Sequence, residues 1–330
     1  MTVVTVTYGD RWPLLKSLLR WAEHAGEVGS CIVVDNGARH PIEPLVAAAG
    51  YAKTSVVRHS YNLGSAPGFK RGLASLVEGG ATWIWLLDDD NAPMDDALTN
   101  LLGAATRLSE AERSTCAFLA FRPEHQSDVA DGVPARRCYP TRSSFFGFHV
   151  SDVPYKIWRR LPWGRPRRRS ALPARVALPY APYSGLFLHR DLLARIGLPN
   201  ADMVLYADDT EFTYRITAAG GHIWLMTDAR LVELEPSWNA KRKVHTSFEL
   251  WLKGGSDARV FYSSRNQAYF DSRLWVRNRL LYRVNRGIYL TALRLFAWRY
   301  ACDARYDVVR RAISLGEGGC LGFDQHWPLP

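Results

Sequence analysis

Between residues 3 and 87 the chain alternates short β-branched or apolar runs with stretches of helical periodicity, and no other feature restricts its fold as much. Residues 3–7, 31–34, 55–57 and 83–87 read as strands, whereas 12–25, 41–49 and 67–77 read as helices. In the first helix Leu14, Leu15, Leu18 and Trp21 fall on one face. Strands and helices interleaved in this way pack as a mostly parallel sheet covered on both faces. Ligands of such sheets bind beyond the carboxyl ends of the strands. Tyr8, Asp35 and Asp88 each follow directly on a strand, so the pattern carries three polar clusters to one rim.

Beyond this region the pattern is less regular. Residues 116–121 and 176–188 have strand character, and 208–219 read as a short helix stopped by Gly220-Gly221. Residues 140–175 read as an irregular loop carrying the basic run Arg159, Arg160, Arg165, Arg167, Arg168 and Arg169. From about Asp257 the chain is helical, with Arg273, Arg277, Arg279, Arg283, Arg286, Arg294 and Arg299 interleaved with Leu, Tyr and Trp.

The 330 residues, 47% of them apolar, suit one large or two intimate domains with a substantial core. A formal net charge of +10 favours an anionic partner: nucleic acid, a membrane surface or a phosphorylated substrate. Five cysteines without a C-x-x-C pair argue against a disulfide framework or a structural zinc site and fit a reducing cytosol. The N-terminus reads as a strand rather than a signal peptide. No segment has the roughly 18 uninterrupted apolar residues of a spanning helix. The expectation is a cytoplasmic protein, soluble or resting on the inner face of the cell membrane.

Asp88-Asp89-Asp90 follows the apolar run Trp83-Ile84-Trp85-Leu86-Leu87. Adjacent carboxylates repel one another, and a hard divalent cation relieves that repulsion by taking their oxygens. Residues i and i+2 of an extended segment point the same way. Asp88 and Asp90 are therefore the expected metal ligands, with Asp89 facing elsewhere; the structural alternative is a solvated acidic turn before a helix at Met94. In Asp208-Asp209-Thr210-Glu211-Phe212, Asp208 and Glu211 have the spacing of a capping box, which leaves Asp209 free to take a proton. In the segment from Asn62 to Gly72, glycines ahead of a helix would admit a phosphate, although the spacing is neither G-x-G-x-x-G nor a Walker loop. His189, His222 and His245 have no metal-ligand spacing, and no G-x-S-x-G motif supports serine-hydrolase chemistry.

Taken in order, these clusters resemble family-2 glycosyltransferases of the GT-A fold, over residues 3 to about 322. Val4-Thr5-Val6-Thr7-Tyr8-Gly9-Asp10-Arg11 resembles the first strand and nucleotide-contacting turn of that family. Val33-Val34-Asp35-Asn36-Gly37 resembles the second, and Asn62-x-Gly64-x-Ala66-x-Gly68 resembles N-x-G-x-A-G-G with Pro67 in place of a glycine. Asp88-Asp89-Asp90 resembles the metal and diphosphate motif, Asp208-Asp209-x-Glu211-Phe212 the segment of the catalytic base, and Tyr262-x-x-Arg265-Asn266 a later signature. The DDD and DD-x-E-F pair is similar to that of bacterial galactofuranosyltransferases and rhamnosyltransferases of cell-wall and O-antigen synthesis. One departure is that the stretch after the base helix lacks the histidine that relatives use as a further ligand, which leaves Glu233, Glu235 or His245 for that place.

The resemblance implies an α/β fold, a Rossmann-like mostly parallel sheet flanked by helices, over residues 1–255. A helical, basic region over 256–330 would serve acceptor or membrane association. It implies a metal-dependent, inverting transferase with Asp209 as general base. Mn²⁺ or Mg²⁺ on Asp88 and Asp90 would hold the donor diphosphate. Thr7, Tyr8, Arg11 and Asp35, with Asn62, Gly64, Arg71 and Asp89, would contact the donor nucleotide. Tyr183, Ser184, Gly185, Asp208 and Glu211 would line the sugar and acceptor site. The donor is expected to be UDP-galactofuranose, with dTDP-rhamnose as the alternative. The acceptor is expected to be a saccharide or a polyprenyl-diphosphate-linked glycan, met at an anionic membrane surface. A basic nucleic-acid-binding protein or a non-catalytic sugar-binding protein would also fit the charge or the fold. Clustered aspartates on the same rim argue against nucleic acid. A nucleotidyltransferase would need a Gly-rich, lysine-bearing triphosphate loop that the chain lacks.

Overall fold

The computed structural model describes residues 1–77, 82–130, 132–164, 172–235 and 246–329. The first half runs β1 (Thr2–Gly9), α1 (Trp12–His24), β2 (Ser30–Ala38), α2 (Ile42–Ala49), β3 (Thr54–His59), α3 (Ser65–Val77), β4 (Trp83–Leu86), β5 (Asn91–Pro93), α4 (Ala97–Ala105), α5 (Glu110–Arg113), β6 (Cys116–Phe121), α6 (Ser127–Ala130), α7 (Ala135–Cys138) and α8 (Val153–Arg160). The second runs β7 (Arg175–Leu178), β8 (Leu186–His189), α9 (Arg190–Ile196), α10 (Asp208–Ala218), β9 (His222–Glu233), α11 (Ser247–Lys253), α12 (Asp257–Phe270), α13 (Arg279–Arg299) and α14 (Asp303–Gly318).

Among the described residues the strands form one sheet of order β3-β2-β1-β4-β8-β6-β9-β5, with β7 paired to β9. The first four strands are mutually parallel, as their helical crossovers require. β8 runs antiparallel between β4 and β6, and β6 and β9 resume the first direction. Side chains alternate between two cores along each strand. Val3, Val33, Trp85 and Leu87 pack with α1, α2 and α4, whereas Val4, Ile32, Ile84 and Leu86 pack with α3, α9 and α10.

Register fixes the rim. Thr7 pairs with Asp35, and Val4 pairs with Leu86, so the ends of β1, β2 and β4 lie side by side with the aspartates just beyond. α3 lies close against β1 because Gly68 and Gly72 stand where a Cβ would come within 2.7 Å of Val6 and 2.6 Å of Val4. These two glycines set a helix–sheet distance and do not form a phosphate cradle.

Three local expectations change. No helix starts at Met94: residues 91–93 pair with β9, and the following helix begins at Ala97. Residues 176–188 divide into the end of β7 and β8. Within residues 140–175, read from sequence as an irregular loop, α8 forms and the preceding segment is fastened to the C-terminal helices. There Asn285 Nδ2 donates to the Ser143 carbonyl at 2.9 Å, the Phe146 N–H to Asp271 Oδ2 at 2.7 Å, and the Val150 N–H to Asn285 Oδ1 at 3.0 Å. These partners are 125 to 142 residues away along the chain, so no local pattern announces them. Arg165, Arg167, Arg168 and Arg169 lie outside the described residues.

The C-terminal helices enclose their own core of Val260, Tyr289, Leu293, Val309 and Ile313, which also takes in Phe145. α12 and α14 touch backbone to backbone at Gly316, where a Cβ would collide with the Arg265 carbonyl and lie 3.1 Å from the Tyr269 nitrogen. Overpacking of this kind costs about 1–3 kcal/mol. Gly316→Ala should therefore lower the stability measured by urea unfolding by that amount. Gly103→Ala, on α4 with open space around it, should be neutral or raise stability by about 0.5–1 kcal/mol.

Candidate active site

The turn after β4 is closed by Asn91. Its Oδ1 accepts the Asp88 N–H at 3.0 Å and the Ser184 hydroxyl at 2.6 Å. Asp89 is buried and points back under β1. It accepts the Thr7 hydroxyl at 2.7 Å and Arg11 Nε at 2.9 Å, and pairs with Arg11 Nη2 at 2.8 Å. The same guanidinium reaches Asp90 at 3.1 Å and Glu235 at 2.5 Å. Burial opposes the charge on Arg11, but the hydrogen bond and charge of Asp89 hold the guanidinium well above its ordinary value.

Asp88 differs from its neighbours. Among the described residues its carboxylate has no hydrogen-bond or ion-pair partner, and it is half-buried. Burial, and then the Asp90 charge, push it up to about 7; burial, and then Asp89, push Asp90 up to about 6. An Asp88 carboxyl without compensating charge, with Asp90 near it, suits a hard cation. Among the described residues no group of three or more His, Cys, Asp or Glu side chains is arranged to hold a metal. A cation here would thus take its remaining oxygens from a bound diphosphate and water, the usual arrangement for Mg²⁺. Glu233 is held by Arg122 at 2.6 Å and His125 at 2.7 Å, and Glu235 is held by Arg11. His245 lies outside the described residues.

The three aspartates border a cavity of about 270 Å³ that is also lined by Tyr8, Arg11, Asn36, Asn62, Gly64, Tyr206 and Arg259. Asn36 shapes its wall: Nδ2 donates to Asn62 Oδ1 at 3.1 Å and to the Gly64 carbonyl at 3.0 Å, while Oδ1 accepts the Leu63 N–H. Gly64, at φ +95°, abuts the Val204 carbonyl, where no side chain fits.

Other expected contacts do not reach this cavity. Asp35 is fully buried and accepts the N–H groups of Ala38 at 2.8 Å and Ile42 at 3.2 Å, and the neighbouring Asn36, itself buried, lines the cavity instead. Thr7 serves Asp89, and Arg71 sits on the exposed side of α3. Ser184 and Gly185 are engaged with Asn91 and with the Leu86 and Ala120 backbones.

The segment before α10 is strained. Val204, Tyr206 and Ala207 have φ of +66°, +67° and +56°, a region costing roughly 1–2 kcal/mol for each side-chain-bearing residue. Asn266 holds it there: its Nδ2 donates to the carbonyls of Met203, Leu205 and Tyr206 at 2.6, 2.9 and 2.9 Å. Arg265 adds bonds to the Asp202 and Met203 carbonyls, each at 3.1 Å. The loop delivers Asp208 and Asp209 at the first turn of α10. Asp208 accepts the Ser65 hydroxyl at 2.9 Å rather than capping the helix, and burial, then the Asp209 charge, push it up to about 8.

Asp209 is half-buried, and burial raises its carboxyl as well. It accepts from the Thr210 N–H through Oδ1 at 2.6 Å and is close enough for its charge to bear on Asp88. Both oxygens of Glu211 are taken by Arg215, at 2.8 and 2.5 Å, so Glu211 is a clamp on α10. Tyr183 is buried between Phe69 and Phe212, and its hydroxyl faces Asp208. Asp208, Asp209 and Tyr183 are not among the residues that line the cavity.

Sequence reasoning missed Asn36, Arg122 and Arg259. Arg122 follows β6 directly, as Asp88 nearly follows β4, and its charge bears on both Asp88 and Asp209. The rule about strand ends would have found it.

Comparison with known proteins agrees with this geometry. Residues 2–112 match glycosyl transferase family 2. The chain is 27% identical over 286 residues to galactofuranosyltransferase GlfT1 of Mycobacterium tuberculosis, covering 84% of each chain. It is 26% identical, with the same coverage, to GlfT1 of Mycolicibacterium smegmatis. Its fold superposes on GalNAc-T7, solved with UDP, GalNAc and Mn²⁺, with a TM-score of 0.57 at 12% identity. All of this chain is covered there, and 58% of that one. The chain thus has a GT-A fold, matches the family-2 glycosyltransferase model over residues 2–112 and resembles bacterial galactofuranosyltransferases.

Proposed function

We propose that this glycosyltransferase moves galactofuranose from UDP-galactofuranose to a saccharide or polyprenyl-diphosphate-linked glycan in bacterial surface polysaccharide synthesis. The carrying observation is the Asp88 carboxylate, without a partner among the described residues, lining the cavity together with Asp90. In this reading residues 1–255 bind the donor and catalyse, and residues 256–330 serve the acceptor side. The transfer is a single displacement with inversion. The acceptor oxygen bonds to the anomeric carbon as the bond from that carbon to the diphosphate breaks on the opposite face.

Asp209 takes the acceptor proton, a role that its raised affinity for protons suits. Tyr8, Asn36 and Asn62 hold the nucleoside in the cavity, and Arg11 fixes Asp89 and Asp90 against it. Asp88 and Asp90 hold Mn²⁺ or Mg²⁺, which when bound stabilises the negative charge of the departing nucleoside diphosphate. Among the described residues no helix is long and apolar enough to cross a membrane. A cytoplasmic enzyme that works at the inner face of the cell membrane fits this reading.

A panel of nucleotide sugars, scored by release of nucleoside diphosphate with and without Mn²⁺, tests the donor and the metal together. UDP-galactofuranose should give turnover that EDTA abolishes. Preference for dTDP-rhamnose would replace the donor, and indifference to EDTA would remove the metal from the mechanism. Asp209→Asn should lower kcat by about 10²–10⁴-fold while leaving donor affinity within a few-fold; near-normal turnover would remove the base assignment. Asn266→Ala strips several donors from buried carbonyls, at a cost of about 1–3 kcal/mol. It should reduce kcat through loss of the loop conformation, visible as faster proteolysis near residue 205.

A further inference from the structure

α13 presents an apolar stripe that the protein leaves uncovered. Leu280, Leu295 and Trp298 are 72%, 61% and 74% exposed, and Val284 and Ile288 extend the same helical face. Arginines border the stripe. Residues 273–299 contain seven arginines and neither Asp nor Glu. Arg286 pairs with Glu317 and Arg294 with Asp303, whereas Arg279 and Arg283 have no carboxylate partner among the described residues. Around α13 from the stripe, on the side of Arg279, Arg283 and Arg286, an open cleft of about 780 Å³ is lined by these arginines with Arg273 and by Glu317, which pairs with Arg286. Residue 150, fastened to Asn285 of α13, leads into α8, where Ile157, Trp158, Lys156 and Arg160 are exposed in the same mixture.

We infer that α13 is a docking surface for an anionic lipid bilayer. The stripe enters the interface between headgroups and acyl chains, and the arginine cleft receives lipid phosphates. An apolar face rimmed by cations, on a helix that does not span, is the signature of a helix lying in the plane of the interface. Charge selects this occupant. A second copy packed about a two-fold axis would bring arginine rim against arginine rim, with no carboxylate on the helix to answer them. Docking here gives the proposed transfer access to a lipid-borne acceptor and in that respect rests on the proposed function, but binding itself needs no turnover.

The test is co-sedimentation of the full chain with phosphatidylglycerol–phosphatidylcholine vesicles and with phosphatidylcholine alone, at low and high salt. The protein should sediment with the anionic vesicles and release as salt rises. Arg279→Gln with Arg283→Gln should weaken binding by about tenfold or more. Leu295→Ser with Trp298→Ser should weaken it even at low salt; were that variant to misfold, the arginine variant alone decides. Two results would overturn the inference: no sedimentation with anionic vesicles by protein that turns over a water-soluble acceptor, or wild-type binding by the arginine variant. A wild-type dimer dissociated by Leu295→Ser with Trp298→Ser would reassign the stripe to self-association. Protein that binds vesicles yet transfers no sugar would instead fail the proposed function and leave the docking surface standing.

Discussion

The pairing of Arg11 with Asp89 makes the acidic turn possible. Three successive carboxylates at the end of a buried strand would otherwise repel one another in a poorly hydrated place. Arg11 and Thr7 take the middle one, Arg11 also reaches Asp90, and the Asn91 N–H closes the turn on the Asp88 carbonyl at 3.0 Å. Neither partner is more than 17% exposed, and removing one member of such a pair costs about 3–5 kcal/mol because the other stays buried and charged. The pair also joins the β1–α1 connection to the β4–β5 connection, across strands held in register at Val4 and Leu86. Fold and site therefore share one interaction, since the contact that closes the sheet rim leaves Asp88 without a partner among the described residues.

A second constraint comes from the far end of the chain. The left-handed residues ahead of α10 would relax if left to themselves. Asn266 and Arg265 hold them by spending side-chain donors on backbone carbonyls that no secondary structure could satisfy. Both residues sit on α12, which packs against α14 with glycine-close contact. The C-terminal helices are thus part of what positions Asp208 and Asp209, as well as a surface of their own. Gly64 completes the arrangement from the other side, because a Cβ there would displace Val204.

Much of this was legible in the sequence where the pattern is local. The early strand–helix alternation, the helix at residues 208–219 and the helical C-terminus all follow from periodicity. The expectation that Asp89 would face away from Asp88 and Asp90 assumes extended backbone, whereas Asp89 and Asp90 sit in a turn and both pair with Arg11. What was not legible depends on distant partners. Asp35 reads as a ligand contact because it ends a strand, yet two backbone N–H groups of the next turn and helix capture it and leave the cavity wall to Asn36. Glu211 has the spacing of a cap but is four residues from Arg215, and a bidentate ion pair outcompetes the cap. Glycines 68 and 72 suggest a phosphate loop until β1 is placed beneath them.

The distribution of charge reconciles a basic chain with an acidic site. The seven arginines of residues 273–299 carry most of the net charge of +10, while the rim of the sheet gathers Asp88, Asp89, Asp90, Asp208 and Asp209. Exposed charges act over about one Debye length, roughly 10 Å at 0.1 M salt. None of these arginines lines the cavity or pairs with its carboxylates, and Asp88 and Asp90 need a cation of their own. A polyanion spread over the whole protein would meet attraction at α13 and repulsion at the cavity. A partner that touches only the helices meets attraction alone, as does a diphosphate that arrives with a divalent metal. The same composition that first suggested nucleic acid thus separates, once placed in three dimensions, into two sites with opposite requirements.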